Sequence, residues 1–266
     1  MTGNQDRQVL SELAGAVEAG RAVVLATVVE TRRSTPRHSG TKMLCFADGA
    51  TLGTIGGGEM EARVVATAVE VLADRRPRLL EYSLVEPTKG DPGVCGGEVA
   101  IYLEPYMPRH TVYVVGCGHV GRAVIDLAHW LGYRTVAIDD REEMVSPEEL
   151  PNADKRVAGS LGDLDEEVIE DASIVVVTRN TNLDAIVLPE ALATPARYVG
   201  AMGSTTRWRS VAQRLVESGV AQADIDRVHA PIGLEMKAET LEEIAVSIMS
   251  QIIQVNRTAP SATEPS

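Results

Sequence analysis

Six residues near the middle of the chain, Gly116-Cys117-Gly118-His119-Val120-Gly121, have the G-x-G-x-x-G spacing of a turn that cradles phosphate. In such a turn the first glycine allows a tight bend, the second lets backbone approach a pyrophosphate, and the third lets a helix pack on a strand. The N–H groups of the helix that follows then point at the anion. Asp139 stands 23 residues after Gly116, close to the ~20 of a carboxylate that accepts from ribose hydroxyls, which favours NAD over NADP. Arg141 offers the alternative of a contact to a 2′-phosphate, opposed by the carboxylates of Asp139 and Asp140. Cys117 and His119 put larger side chains along the phosphate path, and for His119 a place beside a ligand and a plain surface place are both open.

Other residues that could do chemistry lie on either side of this turn. Gly53-Thr54-Ile55-Gly56-Gly57-Gly58-Glu59 leads into a helical pattern, so Gly56, Gly57 and Gly58 can present backbone donors to an anion. Glu59 or Glu61 would then meet the helix dipole or a ligand, and a simple chain-reversing turn is the alternative. Cys95, flanked by Gly96 and Gly97, is a thiol on an uncrowded loop, suited to a nucleophile, a metal contact or a sulfur relay, or else an ordinary buried cysteine. Arg37 belongs to a loop from Arg32 to Gly40 whose arginines cluster positive charge that an anionic ligand could use. Thr178-Arg179-Asn180 with Asp184, and Gly203-Ser204 with Arg207, follow two later apolar runs, where they can line a crevice or serve as turns and helix caps. His110, His129 and His229 have no recognisable acid–base partner, so no hydride-transfer machinery follows the fingerprint.

These residues need elements to hold them. The 266 residues suit two ordinary domains better than one large core. Val9, Leu10, Leu13, Ala14 and Val17 predict an N-terminal helix stopped at Gly20. Strands are expected over Ala22 to Glu30, Thr41 to Phe46, Leu79 to Leu84 and Val99 to Leu103, with a hairpin at Asp48-Gly49 and a helix after Gly58. Pro105 and Pro108 mark the boundary, and from Thr111 strands and helices alternate as in a parallel sheet covered on both faces. The expected strands are Val112 to Val115, Arg134 to Ile138, Ser173 to Thr178, Tyr198 to Met202 and a short one near Val228. Thr240 and Glu243 form a capping box for a final helix carrying Leu241, Ile244, Ile248 and Ile252. The fold class is therefore α/β, an N-terminal α+β domain of residues 1–107 followed by a Rossmann-type doubly wound domain of 108–257, with 258–266 a disordered tail.

Composition narrows the partners. A formal charge of −13 repels a phosphate backbone, and with one Phe, two Trp and six Tyr there is little material to stack on bases, so no nucleic acid is expected. No apolar stretch approaches the ~18 residues that cross a bilayer, and the polar first residues carry no secretory signal, so a cytoplasmic place is expected. Three scattered cysteines offer no disulfide framework and no zinc spacing.

In order along the chain, Ser34-Thr-Pro-Arg37, Gly53-Thr-Ile-Gly-Gly-Gly-Glu59, Cys95-Gly-Gly97, Gly116 to Gly121, Ile138-Asp-Asp-Arg141, Tyr198 to Ser204 and Pro231-Ile-Gly-Leu234 resemble the xanthine dehydrogenase accessory protein family, XdhC/CoxI. The resemblance covers nearly the whole chain. It implies a homodimeric chaperone that binds the molybdenum cofactor (molybdopterin), supports its sulfuration with a cysteine desulfurase-type donor, and delivers it to a molybdenum hydroxylase of the xanthine or CO dehydrogenase type. In that reading Arg37 and the Gly56, Gly57, Gly58, Glu59 entry hold the anionic part of the pterin, while Cys95 with Gly96 and Gly97 lies near molybdenum. Gly116, Gly118, His119, Gly121, Asp139, Arg179 and Ser204 would bind another part of the pterin, a nucleotide such as NAD, or the partner enzyme. Asn180-Thr181-Asn182 departs from the histidine expected in many relatives, against a metal or acid–base role for that loop. An NAD(P)-dependent oxidoreductase and a scaffold joining a sulfurase to its hydroxylase are the competing functions.

Overall fold

The computed structural model describes residues 2–32, 37–83, 97–164, 168 and 171–258. The chain divides into two compact units, one running to Pro108 and the other starting at Arg109. Among the described residues no helix is long and apolar enough to cross a membrane.

The first unit contains α1 (Thr2–Glu18), β1 (Val23–Arg32), β2 (Lys42–Phe46), β3 (Thr51–Gly53), α2 (Gly58–Asp74), β4 (Arg78–Ser83) and β5 (Glu98–Tyr106). Its strands form an antiparallel sheet in the order β3-β2-β1-β5-β4. Successive residues of a strand point to opposite faces. Val24, Ala26, Val28, Met43 and Cys45 therefore meet Met60, Val64, Ala68 and Val71 of α2 on one face. Val23, Leu25 and Leu44 meet Val9, Leu13 and Ala16 of α1 on the other. β5 runs through Pro105 to Tyr106, past the strand end expected at Leu103. β4 pairs with β5 only as far as Leu103, so Pro105 lies beyond the double pairing, on an open flank where a missing N–H leaves no ladder bond unmade.

The second unit contains β6 (Thr111–Val115), α3 (His119–Trp130), β7 (Arg134–Asp139), β8 (Lys155–Ala158), β9 (Ala172–Val176), α4 (Thr181–Leu192), β10 (Tyr198–Ala201), α5 (Thr205–Glu217), α6 (Gln222–Ile225), β11 (Val228–His229) and α7 (Leu241–Thr258). All its strands are parallel, in the order β11-β10-β9-β6-β7-β8. β6 and β9 are buried throughout, as strands covered on both faces must be. One face packs on α4 and α5 through Leu188, Leu192, Val211 and Leu215. The other packs on α3 and α7 through Val124, Ile125, Ile248 and Ile252. The expected capping box starts α7: Glu243 N–H donates to Thr240 Oγ1 at 3.2 Å and Thr240 N–H to Glu243 Oε2 at 3.1 Å.

β6 lies between β7 and β9, so the chain winds outward in opposite directions from it. In open parallel sheets ligands bind outside the carboxyl ends of the strands at that reversal.

Candidate functional site

The fingerprint turn leaves β6 and enters α3 at this reversal. A Cβ on Gly116 would come within 2.6 Å of the Val177 carbonyl oxygen, and one on Gly121 would collide with the carbonyl oxygen of Gly116 itself. Both glycines thus serve chain packing. A Cβ on Gly118 would meet nothing within 4 Å. Gly118 is the N-cap of α3, and no side chain caps that helix, so its first N–H groups are turned outward beside open space.

That space is a cavity of about 530 Å3 over the carboxyl ends of β6, β7, β8 and β9. Gly116, Gly118, His119, Asp139 and Arg179 of the expected site all line it. Its wall is asymmetric. Leu183, Ile186 and Val187 of α4, Met202 after β10 and Leu241 at the start of α7 give it apolar lining, while Asp140, Arg141, Gly159 and Ser160 make the side toward β8 polar. Neither the apolar wall nor Gly159-Ser160 carries a signal of its own in the sequence. β8, which carries that pair, is a four-residue strand of mixed polarity, too short and too half-buried to show a period.

Asp139 is placed at the end of β7, as expected, but its bonding differs from the ribose acceptor that the spacing implied. It is 3% exposed. Oδ2 accepts from the Cys117 N–H at 2.7 Å and from Arg141 Nη2 at 2.9 Å, and Oδ1 accepts from Arg141 N–H at 3.1 Å and Nε at 2.8 Å. A carboxylate has about four acceptor positions, so these four donors fill it. Asp139 pins the glycine turn to β7 and leaves no lone pair for a ribose hydroxyl. Next to it, Asp140 receives a bidentate pair from Arg179, with Nη1 and Nη2 each 2.7 Å from a carboxylate oxygen. The hydrogen bonds from Arg179 hold the Asp140 carboxyl down to about 2.

Cys117 corrects a second expectation. Its side chain is fully buried with Sγ 3.5 Å from the Ile138 carbonyl oxygen, so it points into the core instead of along the phosphate path. Burial, with the nearby Asp139 charge, pushes its thiol up to about 12. His119 is exposed at the start of α3. Ser204 caps α5 by accepting from the Arg207 N–H at 3.2 Å, and it does not line this cavity. Asn180 caps α4 in the same way, accepting from Asn182 and Leu183 N–H. Arg207 reaches Asp184 through Nε at 2.9 Å and Nη2 at 2.6 Å, and Thr178 Oγ1 donates to the same carboxylate at 2.6 Å. With Asp184 only 2% exposed, this trio ties the loops after β9 and β10 together beneath the surface.

In the first unit, the glycine loop before α2 holds an anion of its own. Glu61 Oε1 accepts from the N–H groups of Ile55 at 2.9 Å, Gly56 at 3.2 Å and Gly57 at 2.8 Å, and from the Thr54 hydroxyl. Burial works to raise the Glu61 pKa, but the bonds from Thr54, Gly57, Ile55 and Gly56 outweigh it and hold it below the usual carboxylate value. The donors expected for an external anion at Gly56 and Gly57 are therefore taken by an internal one. Gly58 and Glu59 are exposed at the first turn of α2, Arg37 is half-buried, and Gly97 is buried just before β5. Cys95 and Gly96 lie outside the described residues. Cys45 is fully buried, and burial followed by the Glu61 charge pushes its thiol up to about 12. Among the described residues no group of three or more His, Cys, Asp and Glu side chains could hold a metal ion.

Comparison with known proteins adds to this geometry. Residues 112–252 match the family model described as the XdhC Rossmann domain, and residues 16–83 match that of the XdhC and CoxI family. The chain is 33% identical over 256 residues to the uncharacterized protein YqeB of Escherichia coli (strain K12), covering 95% of this chain and 47% of YqeB. It thus spans about half the length of that relative. It is 23% identical over 284 residues to the molybdenum cofactor insertion chaperone PaoD of the same organism, covering 94% of this chain and 88% of PaoD. The crystal structure of a xanthine dehydrogenase from Bacillus halodurans, 22% identical, aligns over 98% of both chains with a TM-score of 0.53, a likeness of fold.

Proposed function

This chain belongs to the XdhC and CoxI family, and from that premise we propose that it binds the molybdenum cofactor and hands it to a molybdenum hydroxylase of the xanthine or CO dehydrogenase type. The observation that carries the reading is the cavity at the carboxyl end of β6. It joins an uncapped helix N-terminus at Gly118 to an apolar wall of Leu183, Val187, Met202 and Leu241. A phosphorylated pterin needs those two things, N–H donors for the phosphate and an apolar surface for the ring. The role named for PaoD, which this chain matches over most of its length, supports the same conclusion.

The residues fit the group in a particular way. The N–H groups at the start of α3 would hold the phosphate, and Val177, Leu183 and Met202 would shield the ring from water. When bound, the cofactor supplies a dithiolene-held molybdenum that the client enzyme uses for hydroxylation.

A part in sulfuration would fall to Cys95. Of the three cysteines, Cys45 and Cys117 are buried thiols pushed up to about 12 and are protonated at neutral pH, whereas sulfur transfer from a desulfurase-type donor runs through a thiolate. An NAD-dependent oxidoreductase is disfavoured because Asp139 has no acceptor left for a ribose.

The test is mass spectrometry of small molecules released from protein made in cells that synthesise the cofactor. Recovery of a molybdopterin is expected, and recovery of NAD alone would reverse the assignment.

A further inference from the structure

The crevice over the glycine turn does not end at the first turn of α3. A groove of about 370 Å3 lies between α3 and α7, lined by Ala123, Leu127, Ala245 and Val246 together with Asp126 and Glu242. His119 and Leu241 belong to both walls, so the groove continues the crevice across the first turns of the two helices. Leu241 and Val246 are 39% and 42% exposed, and Trp130, one turn beyond Asp126 on the same side of α3, is 79% exposed. Single exposed apolar residues are ordinary, but several that adjoin a ligand crevice mark a contact surface.

The run Pro231-Ile-Gly-Leu234 fixes the approach to this groove. Ile232 N–H donates to the Ala201 carbonyl oxygen at 3.0 Å, Gly233 N–H to Gln251 Oε1 at 2.9 Å, and Ser247 Oγ to the Leu234 carbonyl oxygen at 2.6 Å. A Cβ on Gly233, where φ is +94°, would collide with that Ser247 oxygen. The run is thus clamped to β10 and α7. From it residues 235–242 lead to α7 as a largely exposed lip that carries Glu235, Glu239 and Glu242 against Lys237. Arg122, the cation of the groove lining, is paired with Glu149.

We propose that the α3–α7 groove and its acidic lip are the docking surface for the client hydroxylase, which seats there an apolar side chain ringed by lysine or arginine. Continuity argues for this occupant. A cofactor that leaves the crevice without crossing bulk water must pass into a partner that covers its rim, and His119 and Leu241 belong to rim and groove alike. Charge argues for its chemistry, because the lip presents three carboxylates and one ammonium, which a basic surface complements. The apolar lining between the helices suits a bulky aliphatic or aromatic side chain, and an exposed Trp such as Trp130 is the residue type that most often anchors an interface.

The proposal rests on the reading that this chain hands its cargo to a hydroxylase, and the two fail separately. The client is identified as the hydroxylase of the source organism whose activity depends on co-production of this chain. If none depends on it, the handover reading falls and the docking surface with it. The client, purified without its cofactor, is titrated calorimetrically with the full chain and with Val246→Lys, Trp130→Ala and Glu242→Lys variants at about 50 and about 200 mM salt. Val216→Lys, at a 52% exposed position of α5, is the control. Val246 and Trp130 are exposed, and Val246→Lys gains Glu242 as an i,i+4 neighbour, so the variants are expected to melt close to the wild type. Val246→Lys and Trp130→Ala are expected to weaken client binding about tenfold or more, and Glu242→Lys to weaken it more at the lower salt. Neither Val246 nor Trp130 lines the crevice, so both variants are expected to retain released small molecules as the wild type does while failing to activate the client. Client binding by both within about twofold of the wild type overturns the docking surface, and so does an equal loss in Val216→Lys. Dissociation of a self-associated chain by these substitutions, seen in sedimentation, would assign the groove to a second copy and also overturn it.

Discussion

Glu61 Oε1 lies 2.8 Å from the backbone nitrogen of Gly57, and the Gly57 N–H donates to it together with those of Ile55 and Gly56. A helix N-terminus with several N–H groups converging is an anion site, and here the helix fills it from its own first turn. The first prediction follows from the charge. Glu61→Gln keeps the size and one acceptor oxygen but removes the negative charge, and hydrogen bonds to charged groups contribute roughly 1.5–3 kcal/mol each against about 1 for neutral ones. The variant is expected to be about 1–2 kcal/mol less stable than the wild type at pH 7 in urea unfolding.

The pH dependence gives that substitution a second readout. The folded-state pKa of Glu61 is lowered from an unfolded value of about 4.3. Its ionised form therefore adds stability that is fully present above about pH 4.3 and is lost as pH falls through the folded value. Wild type and Glu61→Gln should differ in denaturation midpoint at pH 7 and converge as the pH drops below about 4. A gap of equal size at pH 7 and pH 3.5 would show that the carboxylate charge plays no part.

How much of this could be read from the sequence depended on how local each signal was. The apolar run Val112 to Val115 predicted a strand of a parallel sheet covered on both faces, and β6 is that strand, buried throughout. The glycine spacing likewise predicted the turn, since Gly116 and Gly121 have no room for a side chain. What the spacing could not tell was who would use the donors and acceptors. Arg141 sits two residues beyond Asp139 and folds back on it, while Asp140 pairs with Arg179, 39 residues away. Those choices depend on three-dimensional neighbours, and they turn a dinucleotide reading into a different one. β8 was missed because an edge strand reading Lys-Arg-Val-Ala carries no alternation of its own.

The fingerprint glycines Gly118 and Gly121 should separate by role. Gly121→Ala places a Cβ into the Gly116 carbonyl oxygen, a backbone contact that cannot yield cheaply, and a loss of at least about 2 kcal/mol or failure to fold is expected. Gly118→Ala puts the methyl into open space, at an N-cap position where alanine is disfavoured against glycine by up to about 1 kcal/mol. Its melting temperature should stay within a few degrees of the wild type while retention of a phosphorylated ligand falls, because the methyl stands between the ligand and the α3 N–H groups. Equal loss of stability in both variants would remove the distinction.

The Asp184–Arg207 pair should behave as a buried ion pair. Arg207→Met leaves the Asp184 carboxylate, 3% exposed in its side chain, with only the Thr178 hydroxyl. Removing one partner of such a pair typically costs 3–5 kcal/mol, roughly, because the remaining charge is stranded in a poor solvent. Arg207→Met combined with Asp184→Leu should recover a large part of the loss, since replacing both charges by apolar groups is often nearly neutral. If the double variant is as unstable as the single one in chemical denaturation, the network's geometry, and not the stranded charge, is what matters.

The cysteines give the sharpest contrast between neighbouring chemistries. A thiol pushed up to about 12 is almost wholly protonated at pH 8, and alkylation proceeds through the thiolate. Cys45 and Cys117 are also fully buried, so a reagent reaches them only when the surrounding core opens. Brief iodoacetamide treatment of the native protein at pH 8, followed by peptide mass spectrometry, should leave Cys45 and Cys117 unmodified and direct the label to Cys95. In denaturant all three should react. Cys95→Ala is then expected to abolish native labelling and to lower sulfuration of a client hydroxylase while leaving the melting temperature of the α3 to α7 unit in place. Label on Cys117 in the native protein would mean that the β6 turn opens under native conditions, and retention of full sulfuration by Cys95→Ala would take that thiol out of the transfer.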